Sequence, residues 1–301
     1  MADPKSSKPR RLAAAALASL PLAVAGLAPA AWTGPAAAQQ SEATPAAPAA
    51  QADAAAAPAE APAPLIEQEA LDLLKSATSK IAAAKSFSVE IDASHQVATT
   101  LGQMVTLFSD AEVTVSRPDK LKAEIETGAG ETEFLFDGKK LTVFDKAKNF
   151  FAEMPAEGTV DALITAAEEK HGLELPAAEF LTSDPEVLLT KDVVDAYVIG
   201  PALVHGEKTV QLMFATPRYE WQLWLDDKTR LPVRYALTHL DLPGTPTYTA
   251  EFSDWKLDAT PDAAAFTFTP PAGAAKIEFA PLPPEAGKDA GKDASKTEPA
   301  K

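Results

Sequence analysis

The sequence predicts an α+β protein built on a large curved antiparallel sheet of about 10–12 strands that forms an incomplete β-barrel. Two observations predict this class. Alternation of apolar and polar residues recurs in about six stretches before residue 155 and about six after residue 192. Helical periodicity is confined to the start of the domain and its middle. Because so wide an antiparallel sheet twists and curls, we expect an N-terminal helix and two or three mid-chain helices on its concave side.

The first element is an amphipathic helix predicted over residues 65–85. Its apolar side chains recur every three or four residues, from Ile66 through Leu74 to Ile81. Acidic residues lie in its first turns and lysines near its end, an order that the helix macrodipole favours.

Six strands are predicted next, because the apolar period changes to two. Asp137-Gly138 lies between two of the alternating runs and predicts a tight hairpin, since its turn requires positive φ. Pro155 ends the last strand of this half. The six predicted strands cover residues 87–97, 104–115, 121–125, 132–136, 140–144 and 150–154.

Helices and a second set of strands follow. The helices are predicted at 160–171, 176–181 and 185–189. His171-Gly172 is typical of a helix end, and Ser183-Asp184-Pro185-Glu186 is typical of a helix start. The later strands are predicted at 196–204, 208–215, 219–226, 231–240, 247–257 and 266–269.

The ends of the chain are predicted to lie outside this domain. Residues 1–38 are predicted to form a cleavable signal peptide, because a basic start precedes an apolar stretch and Ala36-Ala37-Ala38. An uncleaved N-terminal anchor is the alternative, since the apolar stretch approaches the roughly 17 residues that a span needs. We predict a disordered Ala/Pro-rich linker over 39–64, one domain over 65–280 and a disordered tail over 281–301.

Composition excludes several functional classes. The chain contains no cysteine, which excludes disulfides, thiolate nucleophiles and zinc–thiolate or iron–sulfur sites. Its 27 lysines and arginines against 43 aspartates and glutamates give a net charge of −16. Because nucleic-acid binding needs a basic surface, we expect no nucleic-acid partner.

Catalytic and metal-binding motifs are missing from the sequence. The four histidines, His95, His171, His205 and His239, show no paired ligand spacing, and no nucleophile elbow or phosphate-binding loop occurs. We therefore predict no catalytic residue, no metal and no cofactor. An enzyme would require His95 or His239 to meet a carboxylate in a cleft.

Four segments carry a resemblance to a known family. The run Trp224-Leu225-Asp226-Asp227-Lys228-Thr229-Arg230-Leu231-Pro232 has the W-x-D-x-x-T-x-x-P pattern, and residues 136–144, 246–255 and 266–274 strengthen the match. Over about 65–279 the chain resembles an uncharacterised family of predicted periplasmic proteins that is similar to the LolA/LolB type of lipoprotein carrier. The resemblance implies an incomplete antiparallel barrel with a hydrophobic cavity beneath helical lids. It transfers no individual ligand residue.

The predicted function is non-enzymatic binding or carriage of an amphiphile, a lipid, acyl chain or lipidated partner, in the periplasm. The alternative is an envelope protein-interaction or sensor module without a small-molecule ligand. Oligomeric state stays open. The candidate cavity lining comprises nine apolar strand residues: Phe87, Val89, Ile91, Phe134, Phe136, Trp221, Leu223, Tyr235 and Leu237.

Overall fold

The computed structural model describes residues 64–173 and 175–279. The predicted signal peptide (1–38), the predicted linker (39–64) apart from Pro64, and the predicted tail (281–301) lie outside the described residues. Those three assignments stay predictions.

One sheet of 12 strands forms the body of the described chain. Its strands are β1 (Ser86–Ala98), β2 (Met104–Ser116), β3 (Lys120–Thr127), β4 (Gly130–Phe136), β5 (Lys140–Asp145), β6 (Phe150–Pro155), β7 (Asp195–Val204), β8 (Glu207–Ala215), β9 (Tyr219–Asp226), β10 (Pro232–His239), β11 (Thr247–Leu257) and β12 (Ala275–Ile277). Their spatial order is β12-β6-β5-β4-β3-β2-β1-β11-β10-β9-β8-β7. Within the described chain, only β12 and β6 pair in parallel as named strands. The predicted antiparallel sheet of about 10–12 strands is confirmed.

The sheet is open within residues 64–173 and 175–279, because no ladder joins its edge strands β12 and β7. The β7 edge is partly covered by the segment before the first helix. Ile66 forms a parallel bridge with Ala196, and Glu67 N donates to the Ala196 carbonyl at 2.7 Å. This pairing satisfies part of an edge that would otherwise present free backbone groups.

Four α-helices of the described chain cover one face of the sheet, which we call the inner face. They are α1 (Gln68–Ala83), α2 (Val160–His171), α3 (Ala178–Leu181) and α4 (Pro185–Thr190). Helix α1 contacts β7 and α4, α4 contacts α3, and α3 contacts α2, so the helices form a row. Every second residue of each central strand points into the apolar core beneath this row, as the period of two predicts.

Helix α2 shows how local sequence sets an element's ends. The Thr159 hydroxyl accepts a hydrogen bond from Ala162 N at 3.3 Å, and Gly172 ends the helix at φ 60°. The predicted bounds, 160–171, are those observed.

Replacing the N-cap of α2 gives a first test. Thr159→Ala is expected to lower the free energy of unfolding by about 1 kcal/mol, because one terminal N–H loses its acceptor. Urea denaturation measures the change. Thr165→Ala, in the exposed middle of the same helix, is the control and should cost nothing, since alanine favours helix. Equal losses in both variants would contradict the capping role.

The predicted strand at 266–269 is wrong. Ala263–Phe266 form a 3-10 helix and residues 267–270 have no regular structure. The Phe268 ring instead packs on the outer face against Phe144 and Phe151, with centroids 5.3 and 5.1 Å away. Strand pairing resumes only after Pro270-Pro271, where β12 joins β6, because consecutive prolines cannot donate to a ladder.

Glu153 on β6 holds the β12 edge through two lysines. It accepts hydrogen bonds from Lys140 on β5 and Lys276 on β12. The Lys140 bond, followed by the Lys276 bond, holds the pKa of Glu153 below its ordinary value of 4.5. A carboxyl whose folded pKa is depressed stabilises the fold above its unfolded pKa and loses that contribution as the pH falls.

The pH dependence of Tm tests this contact. Below about pH 4.5 the wild-type Tm is expected to fall more steeply than that of Glu153→Gln, because the variant has no proton to take up at this site. Above about pH 5 the variant should be the less stable of the two. Parallel Tm curves across this range would show that Glu153 contributes nothing.

Candidate functional site

The nine residues predicted to line a cavity come together in one core. Eight of them are buried beneath the helices, and Leu237 packs against the same core while partly exposed. The structure therefore places all nine on the inner face. In this conformation their neighbours are the protein's own side chains, so their contact with a ligand stays a prediction.

The centre of the inner face is filled by aromatic packing. The Phe180 ring of α3 contacts the rings of Tyr235 and Phe252 edge-on, with centroids 5.4 and 5.3 Å away. Phe214 stacks on Trp221 at 3.9 Å between centroids. Burial raises the pKa of Tyr235 well above its ordinary value. Such a centre has the close packing of an ordinary core.

Space remains at the β7 end of this face, in a groove between α1 and the β7–β8 hairpin. Its volume is about 760 Å³, which lies within the ~300–1,000 Å³ typical of small-molecule sites. The apolar lining comes from Leu73 of α1, from Val198, Pro201 and Leu203 of β7, and from Val210 of β8. We call this space the α1 groove.

Irregular backbone in β7 accompanies the α1 groove. The register with β8 shifts between Val198 and Gly200, so one extra residue bulges from the strand. Gly200 has φ +129°, a conformation that glycine adopts without the strain of a side chain. Pro201 follows on this edge strand, where a missing N–H is tolerated. The bulge bends β7 beside the groove.

Both signs of charge lie on the rim of the α1 groove. Glu69 and Asp227 supply carboxylates, and Lys208 and Arg230 supply cations. The Arg230 guanidinium Nη1 lies 3.4 Å from Asp227 Oδ1. A rim of this kind can bind a polar headgroup while the apolar lining takes a hydrocarbon chain.

The turn that carries Asp227 and Arg230 is held by Asp226. Its carboxylate accepts hydrogen bonds from Thr229 N at 2.6 Å and Lys228 N at 3.0 Å. The Thr229 N–H is the main cause of the lowered pKa of Asp226. Lys80 of α1 donates to the Thr229 carbonyl, which ties the turn to the helix on the other side of the groove.

A smaller crevice of about 50 Å³ lies near the β12 end. Phe134, one of the nine predicted residues, lines it together with Val143, Leu173 and Phe279. The space is enough for only a few water molecules. The crevice is therefore too small for a lipid chain as it stands.

None of the nine predicted residues lines the α1 groove. The prediction selected aromatic and apolar residues of central strands, which form the core. The groove lies instead at an edge strand, and the one local signal for it was Gly200-Pro201 inside a predicted strand. Such a pair indicates a bulge or an edge.

Two of the four histidines lie beside carboxylates in the described chain. His239 Nδ1 lies 4.0 Å from Asp241 Oδ1, and both side chains are partly exposed. His205 Nε2 lies 2.6 Å from Glu251 Oε2, and the side chain of this histidine is largely solvent-exposed. None of these four residues lines the α1 groove. Within residues 64–173 and 175–279, no group of three or more potential ligands could hold a metal ion.

Among the described residues, no helix is both long and apolar enough to cross a bilayer.

Solved structures show distant similarity to the chain. An uncharacterised conserved protein from Thermus thermophilus is 10% identical, with a TM-score of 0.41, over 70% of this chain and 99% of that one. The Mycobacterium tuberculosis lipoprotein LppX is 15% identical, with a TM-score of 0.39, over 63% and 96%. A LolA superfamily protein from Nitrosomonas europaea is 13% identical, with a TM-score of 0.32, over 66% and 97%. These identities are too low to transfer a ligand.

The sequence comparisons assign the family. No curated protein matches the chain. The model of the family described as "Predicted periplasmic protein (DUF2092)" matches residues 70–280, from the first buried residue of α1 to just beyond β12. The chain therefore belongs to the DUF2092 family of predicted periplasmic proteins.

Proposed function

We propose that this protein is a non-enzymatic periplasmic carrier that binds an amphiphile in the α1 groove. The observation that carries the proposal is the groove itself, which combines an apolar lining and a volume of about 760 Å³ with a charged rim. A hydrocarbon chain would lie against Leu73, Val198 and Val210, and a polar headgroup would face Lys208 and Arg230.

The energetics of chain burial fit such a role. Each methylene group removed from water contributes about 0.8 kcal/mol. Burying about fifteen of them would supply roughly 12 kcal/mol, and subtracting about 4 kcal/mol for the cost of association leaves about 8 kcal/mol, which corresponds to a micromolar Kd. Reversible binding of this strength suits a carrier, because the ligand must also be released.

We propose that the nine core residues could line a second binding space, beneath α3 and α4. Their inner face could admit a longer chain only if α3 and α4 moved away from the sheet. Helices this short, of four and six residues, gain little stability of their own and depend on packing against the sheet.

A fluorescent C18 polyene fatty acid tests the proposal. Wild-type protein is expected to bind the probe with micromolar Kd, and Leu203→Asp to weaken binding at least about tenfold, because it puts a carboxylate on the groove wall. Leu203 is 70% exposed, so the variant should fold normally.

The matched control is Val187→Asp on α4, where the valine is 64% exposed and lies outside the groove. It should bind the probe like wild type. The proposal fails if the wild type does not bind, or if the two variants behave alike.

A protein-interaction module is the second candidate. Ile199 and Leu203 are exposed along the edge strand β7, and exposed apolar side chains on an edge strand can mark a site for another chain. A wild-type protein that binds no fatty acid would favour this interpretation.

The family description supports export to the periplasm. We propose cleavage of the predicted signal peptide near Gln39. N-terminal sequencing of the exported protein tests this, and a start within residues 1–11 would show that the segment is retained as an anchor.

A further inference from the structure

The β1–β2 hairpin extends beyond its neighbours in the sheet. Strand β2 pairs with β3 only from Ser109 onwards, and β1 pairs with β11 only as far as His95. Residues 104–108 of β2 therefore pair with β1 alone. At about 3.4 Å per residue, the hairpin projects roughly 17 Å past β3.

Apolar side chains are concentrated on this projection. Leu101 at the turn is 81% exposed and Phe108 is 71% exposed, and Val105 and Leu107 are also exposed. The β10–β11 loop adds exposed Leu240 and Leu242. These six residues are nearly half of the 13 large apolar residues exposed in the described chain. We call them the hairpin-end patch.

The β10–β11 loop lies directly against the hairpin. Thr247 N donates to Gln96 Oε1 at 3.2 Å. Gly244 is so close to Met104 that a Cβ added to the glycine would lie 2.7 Å from the methionine Sδ. The six exposed side chains therefore belong to one end of the molecule.

The exposed part of the hairpin carries no charge, and the acidic residue between Leu240 and Leu242, Asp241, is paired with Arg218 at 2.8 Å between Nε and Oδ2. From Ser94 to Ser109 the sequence contains no Asp, Glu, Lys or Arg, although the whole chain carries 27 basic and 43 acidic residues. Acidic residues resume at Asp92 and Asp110 on either side. The hairpin tip is thus an uncharged apolar segment on a strongly acidic protein.

The patch covers both faces of the hairpin. Because strand side chains alternate, Val105 and Leu107 share the face of buried Ala111, whereas Phe108 shares the opposite face with exposed Asp110. Leu101 lies at the turn between them. A protein partner docking on one face would leave the other apolar face in water, but immersion in the interface of a bilayer covers both faces and the tip.

We propose that the hairpin end inserts into the interfacial layer of a lipid membrane and docks the protein there. Apolar and aromatic side chains at an uncharged tip supply the binding energy. The net charge of −16 opposes approach to anionic lipids, so the docking surface is a zwitterionic one. This inference is independent of the α1 groove.

Vesicle flotation tests the insertion with protein purified from the periplasm. Wild type is expected to float with phosphatidylcholine vesicles, and Leu101→Ser with Phe108→Ser to reduce the bound fraction at least about tenfold. The control pair, Val187→Ser with Leu188→Ser, removes two exposed apolar residues from α4 and should float like wild type. All three proteins share one N-terminus, so the difference between them reports on the hairpin alone.

Adding anionic lipid should weaken the wild-type interaction at low salt, and salt should restore it, because screening shortens the reach of the protein's charge. Stronger binding to anionic vesicles would contradict the proposal. So would equal flotation of the two double variants.

The absence of cysteine permits a site-specific readout. Leu101→Cys and Val187→Cys are each labelled with an environment-sensitive fluorophore. Vesicles should shift the emission to the blue only at position 101. A shift at 101 that grows with protein concentration without vesicles would show that the patch joins two copies of the chain, and it would overturn the proposal.

The double variant Leu101→Ser with Phe108→Ser should bind the fluorescent fatty acid like wild type. This result separates the test of membrane docking from the test of the α1 groove.

Discussion

Phe180→Ala is expected to lower the free energy of unfolding by about 3–5 kcal/mol, the range found for removing a fully buried aromatic ring. Phe180 is fully buried and joins α3 to the sheet through edge-on contacts with Tyr235 and Phe252. Its loss removes the transfer free energy of the ring and leaves a cavity under a helix of only four residues. Chemical denaturation monitored by tryptophan fluorescence measures the change.

The matched control is Phe108→Ala, since Phe108 is largely exposed on the hairpin. It should change the free energy of unfolding by no more than about 0.5 kcal/mol. A loss below about 1 kcal/mol in Phe180→Ala would show that the inner face is not held by this ring.

The cavity in Phe180→Ala also probes the proposed second compartment. An apolar cavity lined by core side chains stays dry and can bind a small apolar molecule. We expect the variant to bind the fluorescent fatty acid more tightly than wild type if a hydrocarbon chain can enter beneath α3. Unchanged affinity would confine ligand binding to the α1 groove.

Arg117→Met is expected to cost about 2–4 kcal/mol, because hydrogen bonds to charged groups contribute about 1.5–3 kcal/mol each. The Arg117 guanidinium, just after β2, donates to the carbonyls of Leu181 at 3.3 Å and Thr182 at 2.7 Å. It also lies 5.6 Å from the centroid of the Phe87 ring. Burial lowers the pKa of Arg117, and Asp161 opposes that shift.

The consequence of this substitution should be local as well as global. Without Arg117 the end of α3 loses its polar link to the sheet, so amide exchange should quicken around Leu181 before the strands are affected. Arg218→Met is the control, because Arg218 is an exposed residue paired with Asp241, and it should leave stability nearly unchanged. Equal effects of the two substitutions would contradict the proposed link.

Most of the secondary structure was predictable because its signals are local. The α2 bounds follow from a threonine cap and a glycine end, and the Asp137-Gly138 turn follows from the need for positive φ. The wrong strand prediction at 266–269 arose because the structure of this segment depends on residues far away in the sequence. Alternating phenylalanines there do pack, but Phe268 packs against rings on the outer face rather than within a ladder.

The candidate site was less predictable than the fold. Aromatic residues on central strands are apolar whether they line a cavity or fill a core, so alternation alone could not separate the two for Trp221 or Tyr235. The α1 groove depends on how a bulged edge strand lies against a helix more than about 100 residues earlier in the chain.

By itself, the sequence determined the fold class, the order of the elements, the inner face of each central strand and the acidic, cysteine-free character of the chain. These properties depend on residue type and on spacing over a few residues. Only the tertiary structure decided that β12 pairs in parallel with β6, that Phe180 fills the centre of the inner face, and that open space lies beside α1. Such outcomes are set by the volumes and backbone hydrogen bonds of segments far apart in sequence, which no local pattern records.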